Sequence, residues 1–145
     1  MAYPEGNLPF EFHDLAVEFL WTYRHSPSTS PPYWPRYFLL CRSVELILKA
    51  YIAARCSLTS DELKRDFGHN LERLLDKAIA EKLPISASAA EQIKLLNEAH
   101  TKYWPRYPRE EARPVFVIAQ FEAPIEELFK AVRKALGIPY SGVAQ

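Results

Sequence analysis

Four side chains have types and spacing suited to proton transfer or anion binding: Arg42, Glu45, Lys49 and His69. Glu45 and Lys49 stand four apart with the acid first, the order that supports a helix, and Arg42 precedes Glu45 by three. The surrounding stretch is otherwise apolar, so these charges must reach solvent or pair in a partly buried cleft, where an unpaired one is costly. His69 lies between Gly68 and Asn70, placed to hydrogen-bond back onto the preceding helix, with Glu45 as the expected acceptor. An imidazole on a carboxylate is a candidate general acid or base. No nucleophile or second base stands beside it in sequence, so a structural ion network is the simpler reading and a ligand or dimer cleft the functional one. His100 shares a helical side with Leu96 and Tyr103 and reads as a core histidine, while His13 and His25 carry no signal.

A second feature is a repeated pentapeptide, Tyr33-Trp34-Pro35-Arg36-Tyr37 and Tyr103-Trp104-Pro105-Arg106-Tyr107. One copy leads into a helix and the other leaves one, so the pair is not a solenoid unit. The bland account is that the aromatics pack bundle ends while each Pro sets a helix boundary. The functional account is a platform on which bases stack and phosphates pair, with Arg36, Arg106 and Tyr107 as candidates beside Lys49. Arg109 and Arg113 extend the second patch, and Glu110 and Glu111 oppose it.

Eighteen Lys plus Arg balance 18 Asp plus Glu, so no general attraction to polyanions is built in and any such site must be local. With 145 residues, 48% of them apolar, the chain is expected to form a single domain with a core over about 9–137 and a flexible tail over 138–145. No apolar run approaches the length of a membrane span, and no secretory leader opens the chain, so a cytoplasmic protein is expected. Cys41 and Cys56 fall in one predicted helix, roughly 22 Å apart at the helical rise, too far for a disulfide. No CxxC or HxxxH spacing exists, so neither a metal nor another cofactor is expected.

The elements that must position these residues are helical. Residues 10–23 place Phe12, Leu15, Ala16, Phe19, Leu20 and Tyr23 on one face, after Pro9 in the first turn. Residues 26–35, with four prolines, read as a loop. Residues 37–56 are apolar almost all round and read as the central helix. Thr59 and Glu62 form a capping box opening a short helix that Gly68 ends. Asn70 caps the next, whose inner face is Leu71, Leu74, Leu75, Ala78 and Ile79 and which Pro84 stops just after Leu83. Ser88 with Glu91 suggests another capping box, opening a long helix that runs to Pro105. Residues 115–121 are rich in β-formers but have no pairing partner, so an irregular or extended segment is expected there. Pro124 begins the last helix, with Ile125, Leu128, Phe129, Val132 and Leu136 inward and Gly137 terminating it. The fold class is all-α, a bundle of four or five long helices with a short extra one.

The run Ser43-Val44-Glu45-Leu46-Ile47-Leu48-Lys49-Ala50, followed by Gly68-His69-Asn70-Leu71 and by Arg106-Tyr107-Pro108, resembles the HEPN domain family over roughly residues 37–108. The resemblance implies an up-and-down bundle, usually dimeric, associated with RNA cleavage, nucleotidyltransferase partners, toxin–antitoxin pairs or defence. Nuclease members carry an Arg, four to six intervening residues and a His. Here no Arg lies five to seven positions before any of the four histidines. The expected function is therefore a non-catalytic domain binding a nucleotide, RNA or protein partner, as a homodimer. The central helix, too apolar for one small bundle, and the aromatic-rich loops also suggest the second copy. The alternatives are a metal-independent ribonuclease, with His69 as acid or base and Arg42 or Arg106 holding phosphate, and a purely structural partner of a nucleotidyltransferase.

Overall fold

Helix α1, Leu8–His25, starts where sequence predicts, because Pro9 needs no amide partner in a first turn and the Asn7 carbonyl accepts the amides of Phe10 and Glu11. Its buried stripe is His13, Ala16, Leu20 and Tyr23. Leu15, expected inside, is exposed, and the ring of His13 takes the inner position instead. The computed structural model describes residues 7–26, 34–102 and 118–139, without the side chains of residue 34 and residues 99–102. The expected loop over 26–35 therefore falls largely outside the described residues, and its far end is already helical.

α2 spans Trp34–Cys56, three residues longer at its start than predicted, with Pro35 in the first turn where proline is tolerated. Every residue from Ser43 to Ala53 is buried. Ser43 meets that burial by donating its hydroxyl to the Leu40 carbonyl at 2.7 Å. Arg36 lies on Tyr23 and Arg42 over Phe19, so α1 and α2 run antiparallel along their length. The other sides of α2 are covered by α4, α5 and α6. Its apolar circumference is thus used within one chain and by itself calls for no second copy.

α3, Ser60–Phe67, opens on the expected capping box: Glu62 N–H donates to Thr59 Oγ1 at 3.1 Å and Thr59 N–H to Glu62 Oε1 at 3.0 Å. Gly68 ends it at φ +56°. α4, Leu71–Ala80, starts on Asn70, whose Oδ1 accepts the Arg73 amide at 3.0 Å. Leu71, Leu74, Leu75 and Ala78 are buried as expected, but Ile79 is exposed. The helix also stops earlier than Pro84 would require. Lys82 N–H bonds the Ile79 carbonyl and Leu83 N–H that of Ala78, a Schellman turn with Lys82 at φ +73° where glycine is usual.

α5, Ala87–Lys102, is capped by Ser86 and not Ser88: Ser86 Oγ accepts the Ala89 amide at 3.1 Å. The carboxylate that closes the arrangement is Glu127 from the last helix, which takes the Ser86 amide at 2.6 Å and hydroxyl at 3.0 Å. Within the segment expected to be irregular or extended, the described part, Ile118–Phe121, is a 3-10 turn that buries Phe121 and runs directly into α6, Glu122–Leu136. Pro124 sits inside the first turn of α6, where a missing amide costs no intrahelical bond. Gly137 closes it at φ +75° in a second Schellman turn, with Ile138 N–H on the Arg133 carbonyl.

Among the described residues the architecture is all-α, five long helices plus the short α3. Asn97 to Leu71 and Lys94 to Asp76 set α4 and α5 antiparallel, and Ser86 to Glu127 with Gln92 to Gln120 do the same for α5 and α6. α3 inserts one exception: it carries the chain back so that α4, touching α2 through His69 with Glu45 and Glu81 with Tyr51, advances in the same sense as α2. Cys41 and Cys56 both lie in α2 as free thiols. No described helix is long and apolar enough to cross a membrane.

Candidate functional site

Glu45 is the only acidic residue of α2 and its side chain is 1% exposed. Burial pushes its carboxyl up, but the hydrogen bond and charge of Lys49, with Arg42 and His69, outweigh that and hold it below the usual carboxylate range. Oε2 accepts Lys49 Nζ at 2.8 Å and Arg42 Nη1 at 2.5 Å. His69 Nδ1 lies 3.0 Å from Oε1 and 3.1 Å from Oε2, so Nδ1 carries a proton and donates to the acceptor expected from sequence.

The local fold explains the convergence. The i,i+3 and i,i+4 spacings put Arg42 and Lys49 on the Glu45 face of α2. The return through α3, ended by Gly68 at positive φ, brings His69 to that face. Asn70 and then Asn97, which accepts the buried Leu71 amide at 2.7 Å, fix the start of α4 just beyond. Exposure grades the four side chains sharply: Glu45 at 1%, Lys49 at 8%, Arg42 at 32% and His69 at 64%. Lys49 therefore serves as the buried counter-ion of Glu45 and does not reach the surface on which it is expected to act. Arg42 and His69 form the outward part of the cluster. Cys41, one turn before Glu45, offers no nucleophile, since burial and the Glu45 charge push its thiol far up.

Of the remaining sequence candidates, Arg36 is not brought to this corner. Arg36 is turned onto the end of α1: its Nε donates to Ser26 Oγ at 3.1 Å and its guanidinium covers the Tyr23 ring at 4.6 Å. Arg106 and Tyr107, with most of the second pentapeptide, lie outside the described residues, as does the side chain of His100. Among the described residues, no group of three metal-ligating side chains converges.

Two residues escape sequence reasoning. Asn97 looks like an ordinary polar helix position, and only the α4 amide it accepts reveals its role. His13 is 5% exposed, with Nδ1 on Asp14 Oδ1 at 2.8 Å and no partner for Nε2 among the described residues. Burial, with the Arg133 cation from α6, pushes its pKa down to about 4. The spacing 13, 16, 20, 23 contained the signal, since it includes His13 in the buried stripe.

A groove of about 610 Å³ between α4 and α5 is lined by Glu72, Glu91 and Glu98 against Lys94. Its acidic lining sets it apart from the Glu45 corner. The chain matches no protein-family model, no curated protein and no solved structure.

Proposed function

We propose that this chain is a HEPN-like, non-catalytic binding domain that recognises a phosphate-bearing ligand, a nucleotide or RNA, through Arg42 and His69. One observation carries the reading. Two outward nitrogen-bearing side chains are held on a single buried carboxylate that a third, buried cation already neutralises. Arg42 thus adds positive charge at the surface without a carboxylate of its own to balance it, and both donors are ordered before a ligand arrives. The proposed partners include a second copy of the chain, whose contact would cover exposed side chains such as Leu15, Trp21 and Phe38.

Fluorescence titration of labelled single-stranded RNA and of a labelled nucleotide, at low and high salt, tests the reading. Wild type binds at low salt, and Arg42→Ala and His69→Ala each weaken binding about tenfold, or ~1.4 kcal/mol. Binding that neither substitution changes sinks it. Light scattering that finds a monomer at high micromolar concentration removes the second copy.

A metal-independent ribonuclease is the second reading, favoured by the 64% exposure of an imidazole oriented by a carboxylate. RNA cleavage in chelator that disappears in His69→Ala supports it; cleavage surviving that change, or none, rejects it.

A further inference from the structure

The segments around the Arg42–His69 corner are not a basic track. α3 and the first turn of α4 alternate Lys64, Arg65 and Arg73 with Asp61, Glu62, Asp66 and Glu72, and Arg65 is already paired with Asp66 at 2.9 Å. A nucleic-acid backbone presents one charge per phosphodiester and binds through many cations along a groove. This corner offers one guanidinium and one imidazole at a single point. It also uses only part of each. Arg42 contributes Nη1 to Glu45, and His69 contributes Nδ1. Nε and Nη2 of Arg42 and Nε2 of His69 remain for a ligand among the described contacts.

A group that engages a planar fork and a ring nitrogen at once needs several acceptor oxygens on one atom and more charge than the carboxylate it sits beside. A terminal phosphate, carrying about −1.5 to −2 and three acceptor oxygens, meets both conditions. An internal diester, with one charge and two free oxygens, meets neither. Resting on the phosphate-binding reading above, we infer that the site takes a terminal phosphate monoester, as on the end of a nucleotide or of a 5′-phosphorylated strand, in preference to an internal phosphodiester. Arg42 grips two of its oxygens through the fork and Nε2 of His69 hydrogen-bonds the third, while Lys49 stays on Glu45. Glu45 is a positioning residue that orients both donors.

The probes are two fluorescein-labelled oligoribonucleotides of one sequence, labelled at the 3′ end, one bearing a 5′-phosphate and the other a 5′-hydroxyl. Wild type binds the phosphorylated probe at least about tenfold more tightly. Arg42→Lys keeps the charge but loses the fork, and His69→Gln loses the imidazole; each removes most of that preference while far-ultraviolet circular dichroism stays that of wild type. Equal binding of the two probes overturns the inference and leaves the general reading in place, as does a preference that survives both substitutions. Failure of both probes and of the labelled nucleotide to bind overturns the general reading itself.

Discussion

Acidifying the protein should cost stability through a single ring, that of His13. Unfolded, this histidine has a pKa near 6.5; folded, burial and the Arg133 cation of α6 push it down to about 4. The unfolded chain therefore binds a proton that the native state refuses. Stability is complete above the unfolded value, falls as pH drops through it, and levels off below the folded value. The whole difference is worth about 3 kcal/mol, of which about 2 kcal/mol is already lost at about pH 5. Asp14, the Nδ1 partner, is half exposed and solvent-screened, so it offsets only part of this. Glu45 has its carboxyl held low, so its own loss sets in only as pH falls through the ordinary carboxylate value, below about pH 5. Urea unfolding of wild type and His13→Met at about pH 7 and about pH 5 isolates the ring, since methionine fills a similar volume without titrating. Wild type should lose about 2 kcal/mol more than the variant between the two conditions. A difference below about 0.5 kcal/mol, or a His13 ring resonance that titrates near the free value, refutes the reasoning.

Glu45→Ala should destabilise by about 3–5 kcal/mol in urea melts, because it strands Lys49 in the interior, whereas Glu45→Leu with Lys49→Met should recover most of that loss. The two Schellman turns make a matched pair. Lys82→Gly should stabilise and Gly137→Ala destabilise, each by about 1 kcal/mol, because φ is +73° at Lys82 and +75° at Gly137, where an added Cβ would meet nothing within 4 Å. Equal and negligible shifts in melting temperature for both would show that neither turn is held at positive φ. Asn97→Ala leaves the buried Leu71 amide without its acceptor and should cost about 1–3 kcal/mol, with faster hydrogen exchange at that amide as the local readout.

What could be read in advance was whatever one side chain decides locally. Thr59 with Glu62, Asn70 and Gly137 announce helix ends by residue type, and each end lies where its type places it. The Glu45–His69 contact was legible for a related reason: α2 has one carboxylate, so a histidine folding back onto it had one acceptor to find. The misplaced features depend on chain segments far apart. Ser86 and Ser88 are alike as candidate caps, and the choice falls to Ser86 because Glu127 reaches it from α6. Lys82 gives no glycine signal, so Pro84 looked like the stop. Leu15 and Ile79 fit their helical periods but lie at the margin of the stripe, where neighbouring helices decide what is covered. Arg36 in its aromatic pentapeptide and Lys49 read as surface cations, and their partners on α1 and α2 hold them elsewhere.

The enclosure of α2 has a consequence for how the chain is made. A ribosome releases α1 and α2 together as a ready hairpin, but the remaining walls arrive in order, α4, then α5, then α6. Until α6 emerges, part of the run from Ser43 to Ala53, buried all round in the finished fold, stands bare. A nascent chain halted there is a natural client for holding chaperones and for sticking to its neighbours.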